Sequence, residues 1–397
     1  MYSFLLALIY LAFISLGLPD GLLGSAWPTL YPQLGVSVSY AGVVTMIIAA
    51  GTIVSSLNAS RLIRKMGTGL LTTISVLMTA IALFGFAKSD HFWMLCLWAI
   101  PYGLGAGAVD AALNNFVALH YASRHMSWLH CFWGVGASLG PYIMGYSLAV
   151  HNSWPRGYLT VGFVQTGLVA VLIISLPIWI KQARLMRENQ PVEHKHHNLF
   201  SALRIKGVRQ ILLAFFAYCA LESTTGLWAS TYLVLHRGLP AEAAARWGSL
   251  FFLGITFGRF LNGFVADRLG NRTMIRIGLV IIAIGLTIVL LPQPVDLICL
   301  IGLVLVGLGC APVYPCIIHE TPRNFGAENS QSIIGIQMAS AYTGTTLMPP
   351  LFGLIAKGLS ISLYPVFLGV MLVLMLVMTE WLNRLITHPW SSASSSS

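Results

Sequence analysis

Three acidic residues, Asp20, Asp110 and Glu222, stand inside long apolar stretches of this sequence. A carboxylate in such a stretch is costly unless it faces a water-filled cavity or a partner, so each acid marks a candidate functional site. An acid of this kind can take up and release a proton, and one charge that crosses 100 mV provides about 2.3 kcal/mol. We predict that the three residues form an ion-coupling set, with H⁺ as the ion and Na⁺ as the alternative. The other interpretation of each acid is a structural hydrogen bond between helices.

Asp110 is the single formally charged residue between Phe92 and Tyr121. The segment Gly103–Ala108 just before it is rich in small residues, which let another helix or a substrate approach closely. Asn114 follows one helical turn later and would share the face of Asp110. This spacing predicts a helix that lines a polar path through a membrane.

Amide, aromatic and imidazole side chains in the apolar stretches could bind a polyhydroxylated solute. A sugar has hydroxyls that need polar partners and an apolar face that packs on an aromatic ring. Interhelical hydrogen bonds are the alternative role for the amides and the histidine, and packing or interfacial anchoring is the alternative for the aromatics. The candidate binding residues are Trp27, Asn114, Asn115, His130, Trp133, Trp228, Tyr232 and Gln337.

The composition predicts an all-α integral membrane protein. Of 397 residues, 57% are hydrophobic and 9% are charged, whereas soluble domains carry about 25% charged residues. A spanning helix needs about 20 apolar residues, and the long runs lack the alternation that a membrane β-barrel requires. The first run has no basic start and is predicted to be a retained span rather than a signal peptide. The twelve predicted spans are 3–34, 40–61, 68–88, 92–121, 128–150, 158–181, 209–236, 246–267, 273–291, 297–319, 331–357 and 361–385.

The basic residues predict the orientation in the membrane. With the N-terminus inside, seventeen of the 22 Lys and Arg residues fall on the inner side and five on the outer side, as the positive-inside rule requires. We therefore expect a multi-pass protein of the plasma (inner) membrane, surrounded by lipid, with both termini cytoplasmic. The net charge of +10 lies in short loops, so no nucleic-acid partner is expected. The six cysteines lack metal-ligand spacing, which predicts neither a disulfide framework nor a metal site.

An internal repeat divides the chain into two six-helix halves. The stretch Gly103–Asp110 aligns with Gly307–Tyr314 at an offset of 204, and the loop that ends at Gly67 aligns with the loop that ends at Gly270 at an offset of 203. Two such halves are expected to form a central cavity that opens alternately to each side. The repeat predicts an N-terminal bundle (1–182), a cytoplasmic linker (183–207), a C-terminal bundle (208–388) and a low-complexity tail (389–397).

The linker contains three histidines, His194, His196 and His197. A metal site is one interpretation of this cluster. We favour a solvated linker, because the whole stretch is polar and separates two apolar halves.

The sequence Gly263–Arg272 resembles the loop signature of the major facilitator superfamily, G-x-x-x-D-R-x-G-x-[RK]. Its five defining positions are occupied by Gly263, Asp267, Arg268, Gly270 and Arg272. The resemblance implies the fold of that family, twelve transmembrane helices as two pseudo-symmetric six-helix bundles, with the signature as a cytoplasmic gate.

Arg259 precedes the signature and is assigned to the gate or to packing. In the first half the signature is degenerate, because Ser60, Arg64 and Lys65 stand where Gly, Asp and Arg are expected.

Three further stretches resemble the fucose–galactose–glucose:proton symporter branch of the superfamily. They are LPDGLLGSAWPTL with Asp20, WLHCFWGVGASLGP at the predicted start of helix five, and LESTTGLWASTYL with Glu222. Members tend to carry acids in helices one and four, which Asp20 and Asp110 match. The resemblance implies a monomeric importer of a small polyhydroxylated solute, a monosaccharide, by proton symport through alternating access and without a cofactor.

Two other function classes stay open. GASLGPYIMG half-resembles the helix-five motif of drug/proton antiporters, and a non-transporting membrane sensor would share the composition. No nucleophile elbow, Walker loop, HExxH or CxxC pattern is present, so we expect no enzymatic activity.

Overall fold

The structure is a computed structural model that describes residues 2–37, 40–189, 199–239, 241–291 and 296–387. These residues form helices joined by short turns, and none of them lies in a β-strand. The all-α prediction is confirmed. The three histidines at 194, 196 and 197 and the predicted tail 389–397 lie outside the described residues.

Most of the described helices are long enough to cross a bilayer. Nine stretches of the described chain are both long and apolar enough to do so. The helices are α1 (Tyr2–Gly17), α2 (Leu22–Gln33), α3 (Ala41–Ala87), α4 (Phe92–His120), α5 (Ser123–His151), α6 (Trp154–Asn189), α7 (Leu199–Ala202), α8 (Val208–Leu235), α9 (Ala241–Leu269), α10 (Asn271–Leu290), α11 (Asp296–Phe325), α12 (Ala327–Gly358) and α13 (Tyr364–Thr387).

These helices make twelve spans. The pair α1 and α2 forms one span, and α3, with 47 residues, is about 70 Å long and forms two. The helices α4–α6 and α8–α13 contribute one span each. The helices α5 and α12 have spanning length but are less apolar than the nine stretches above. Large exposed side chains such as Ile174 and Ile180, 78% and 70% exposed, suit contact with lipid.

Two predicted boundaries are wrong in instructive ways. The span predicted at 3–34 is broken between Gly17 and Leu22, because Pro19 has no N–H to continue the helix. The loop predicted between residues 61 and 68 is helical up to Gly67, where the backbone turns sharply. The break at residues 18–21 places a polar turn within a span. The predicted loop before residue 68 is reduced to a single kink at Gly67.

The same backbone conformation marks the repeat in both halves. Gly67 has φ 76° and ψ 160°, and Gly270 has φ 76° and ψ 153°. A side chain is strongly disfavoured in this region of φ/ψ space, which is close to glycine-only. The two loops that align in sequence therefore also turn in the same way.

The chain divides into two compact units, one made of Met1–His196 with Ala327–Ala339 and the other of His197–Gly326 with Ser340–Ser397. Each unit contains one close glycine contact that the repeat relates to the other. A Cβ on Gly103 would collide with the backbone oxygen of Ile48 in α3, and a Cβ on Gly307 would collide with the backbone oxygen of Phe251 in α9. Small residues thus permit backbone contact in both units, as their position in the sequence predicts.

Replacing Gly270 with alanine tests the shared turn. We expect Gly270→Ala to destabilise the protein by about 1–3 kcal/mol, because alanine is strained at this φ and ψ. The control is Gly369→Ala in α13, where a Cβ meets nothing within 4 Å and alanine should stabilise the helix by about 0.5–1 kcal/mol. Unfolding in detergent measures both, and equal effects of the two substitutions would contradict the assignment.

Candidate ion-coupling and solute site

Asp20 lies in the turn between α1 and α2, and its side chain is exposed. The Trp133 indole N–H of α5 donates to Oδ2 at 3.0 Å, and the Tyr102 hydroxyl of α4 donates to Oδ1 at 3.4 Å. No Lys or Arg forms an ion pair with Asp20 among the described residues. Two candidates that were predicted separately, Asp20 and Trp133, are therefore in direct contact. The carboxylate is reached by water and is held by neutral donors.

Asp110, Asn114 and His130 form a buried chain of hydrogen bonds between α4 and α5. Asn114 Nδ2 donates to Asp110 Oδ1 at 2.8 Å. Asn114 Oδ1 lies 3.1 Å from His130 Nε2, and because an amide oxygen only accepts, the imidazole carries its proton on Nε2 here. All three side chains are at most 5% exposed. Three sequence candidates are thus assembled into one network.

Asn115 points away from that chain toward the first turns of α12, within the same unit. Ser330 Oγ donates to Asn115 Oδ1 at 2.9 Å. Beside it, the hydroxyls of Ser60 and Ser332 lie 3.1 Å apart. Ser60 occupies the glycine position of the degenerate first-half signature, and it contacts a hydroxyl there. Gln337 lies further along the same segment of α12 and is fully buried.

Glu222 of α8 forms an ion pair with Arg259 of α9. The distance from Arg259 Nη2 to Glu222 Oε1 is 3.1 Å, with the side chains 4% and 20% exposed respectively. Arg259 Nη2 also donates to the Tyr218 hydroxyl at 3.5 Å. The cation comes from a different helix, which explains why inspection of the Glu222 helix did not reveal it. Arg259 therefore binds an acid of α8 within the same unit.

The remaining aromatic candidates occupy packing positions. Trp27 is buried in an apolar cluster and contacts the ring of Tyr31. Trp228 is half-buried and its Nε1 donates to the Pro349 oxygen at 2.9 Å. Tyr232 is buried and stacks on His236, with ring centroids 4.9 Å apart. Their predicted role as sugar platforms stays a prediction.

The signature loop leads into a buried acid that the sequence analysis missed. Asp267 and Arg268 are exposed at the end of α9, next to the turn at Gly270. Arg272 Nε lies 3.3 Å from Glu320 Oε1 of α11, and Asn271 Nδ2 donates to Glu320 Oε2 at 2.9 Å. Glu320 is 3% exposed. Glu320 lies one residue beyond the predicted span 297–319. An acid just outside a span is expected to be solvated, so the sequence offered no reason to select it.

The family model of the Major Facilitator Superfamily matches residues 9–250 and 241–395. The chain belongs to the major facilitator superfamily and is a multi-pass membrane protein. It is similar in fold to a crystal structure of FucP, with a TM-score of 0.76, 15% identity and coverage of 95% of this chain and 98% of that chain. FucP is the fucose:proton symporter of E. coli.

Three curated relatives are similar in sequence. The glucose/mannose transporter GlcP of Bacillus subtilis is 23% identical, over 77% of each chain. Bypass of stop codon protein 6 of Saccharomyces cerevisiae is 24% identical over 64% of this chain, and the match spans 56% of that protein's length. The quinolone resistance protein NorA of Staphylococcus aureus is 24% identical over 43% of this chain and 44% of its own.

The Glu222–Arg259 pair makes a prediction about stability. Glu222→Gln should cost about 3–5 kcal/mol, because it leaves a buried guanidinium without its carboxylate. Arg259→Gln should cost less, because Glu222 is partly exposed, and the double variant should cost less than the sum of the two. Unfolding of the purified proteins in detergent measures this cycle. Additive effects would show that the two side chains do not interact.

Proposed function

We propose that this chain imports a monosaccharide, or a similarly small polyhydroxylated solute, together with H⁺ by alternating access. One observation carries the proposal: an exposed carboxylate, Asp20, sits at a break in a membrane-spanning helix and is bound by two neutral donors. An acid inside a span that has no cationic partner is suited to gain and lose a proton during a transport cycle.

The groups around Asp20 also suit a sugar. Each carboxylate oxygen accepts one hydrogen bond from protein, and each has further lone pairs that a solute hydroxyl can use. The half-buried indole of Trp133 adds an apolar ring beside these acceptors, which matches the apolar face of a pyranose. Acceptor oxygens next to an aromatic ring are the usual solution for carbohydrate binding.

The donors at Asp20 favour H⁺ over Na⁺ as the coupling ion. A hard cation such as Na⁺ needs several oxygen ligands that present lone pairs. Asp20 is instead contacted by an indole N–H and a phenol O–H that donate to it. We therefore assign the proton to Asp20, with Asp110 as a second acid, and assign Glu222 to its ion pair with Arg259.

The relatives support a sugar substrate, and one of them also supports drug efflux as the alternative function. GlcP is named a glucose/mannose transporter and FucP a fucose:proton symporter. NorA is named a quinolone resistance protein and matches less than half of the chain, which supports drug efflux as the second candidate. The polar groups at Asp20 favour the sugar. The distribution of Lys and Arg supports an inner-membrane location with cytoplasmic termini.

Uptake into proteoliposomes tests the assignment of the proton. With an imposed potential of 100 mV, coupling to one charge should concentrate a transported sugar about 50-fold. Asp20→Asn should bring the sugar only to its external concentration, because the amide cannot carry a proton. Asp90→Asn, which changes an exposed acid in the turn before α4, should accumulate the sugar as the unaltered protein does.

A panel of sugars and a lipophilic cation would be assayed side by side. Full accumulation of the sugar by the Asp20→Asn protein would show that Asp20 does not carry the coupled proton. If the vesicles move no sugar but expel the lipophilic cation in exchange for protons that move down the imposed pH gradient, the chain is a drug antiporter.

The hydroxyl contact between α3 and α12 gives a second test of alternating access. The Ser60 and Ser332 hydroxyl oxygens lie 3.1 Å apart, so we expect cysteines at both positions to form a disulfide on oxidation. Oxidation of the Ser60→Cys/Ser332→Cys protein, made without the native cysteines, should stop uptake if this contact must open in each cycle. Reduction should restore uptake, and each single-cysteine variant should be insensitive to oxidant. Unchanged uptake by fully cross-linked protein would show that the contact stays closed during transport.

A further inference from the structure

Gln165 of α6 is a buried amide whose two ends are both bonded. Its Nε2 donates to the backbone oxygen of Ser15 at 2.8 Å, and its Oε1 accepts from the Thr79 hydroxyl at 2.8 Å. The side chain is 1% exposed. Burial of a polar group is costly unless its hydrogen bonds are made, so this amide ties α1 and α3 to α6.

The Ser15 oxygen needs an outside donor because of Pro19. In an unbroken helix the N–H four residues later would donate to it, and proline has no N–H. Gln165 supplies the missing donor. Beyond this point the chain makes a tighter turn, in which the N–H of Asp20 donates to the Gly17 oxygen at 3.1 Å.

A small cavity lies beside Gln165 and Pro19. Its volume is about 10 Å³, close to the space of one water molecule. The polar side chains in its wall are Ser15, Thr79, Tyr102 and Gln165, next to Pro19. Tyr102 is also the phenol that donates to Asp20. Gln165, which bonds the Ser15 oxygen, and Tyr102, which donates to Asp20, therefore line the same cavity.

We propose that Gln165 is a positioning residue for Asp20. By bonding the Ser15 oxygen it fixes the end of α1 at the break that Pro19 causes, and this placement holds the Asp20 carboxylate against Tyr102 and Trp133. The inference rests on the proposed function, in which Asp20 takes up the proton. It adds a residue of α6 that contacts neither ion nor solute and that acts on Asp20 through the backbone.

Reaction of Asp20 with a carbodiimide, measured by mass spectrometry over a series of pH values, tests the proposal. The reagent attacks protonated carboxyl groups, and the titratable groups that face Asp20 are Tyr102 and Asp110, both on α4. The Tyr102 and Trp133 donors stabilise the ionised, unreactive carboxylate, so their loosening in Gln165→Leu should speed labelling of Asp20 about fivefold, the effect of roughly one lost hydrogen bond on its placement. Labelling of the exposed Asp90 in the same sample should not change.

The matched control is Gln182→Leu, which removes another buried amide from α6. In this variant the carbodiimide should label Asp20 at the same rate as in the unaltered protein. If Gln165→Leu does not fold, Thr79→Val carries the test, with an expected acceleration of about twofold because one bond of the amide is kept. Unchanged rate and pH profile in the variant that folds would overturn the proposal. The labelling needs no sugar, so a failure of sugar uptake would remove the proposed function without affecting this result.

Discussion

The architecture of the first unit depends on one missing hydrogen-bond donor. Pro19 cannot continue the helix, so the first span ends at Gly17 and resumes at Leu22. In the hydrocarbon region every backbone polar group needs a partner. An amide from α6 satisfies the freed Ser15 oxygen, and the resulting break exposes Asp20 between donors from α4 and α5. A carboxylate at mid-span is tolerable here because the break supplies both water and neutral hydrogen bonds.

The two units share a backbone plan but differ in how they treat charge. The turns at Gly67 and Gly270 have nearly the same φ and ψ. In the second unit two acids form ion pairs, Glu222 with Arg259 and Glu320 with Arg272. In the first unit Asp20 accepts hydrogen bonds from an indole and a phenol. A paired acid holds its charge, whereas Asp20 between neutral donors can change protonation, so the first unit is the better candidate for ion coupling.

Much of this plan could be predicted from the sequence. The apolar runs gave twelve spans and the signature at Gly263–Arg272 gave the family, because both depend on local patterns. The pairing of Glu222 with Arg259 could not be seen, because the two residues lie on different helices and 37 positions apart. The contact of Trp133 with Asp20 was hidden for the same reason. Gln165 was overlooked because it bonds the Ser15 oxygen that Pro19 leaves without a donor. Gln165 and Ser15 lie on different helices, so the spacing of residues in the sequence does not indicate this contact.

The most direct test of the central claim is the movement of protons with sugar. A transported sugar is added to lightly buffered, de-energised vesicles while external pH is recorded. Proton symport through Asp20 predicts external alkalinisation on addition of sugar, and it predicts that Asp20→Asn moves the sugar downhill with no change in pH. An equal alkalinisation from the Asp20→Asn protein would contradict the account, because the proton would then be carried by another group.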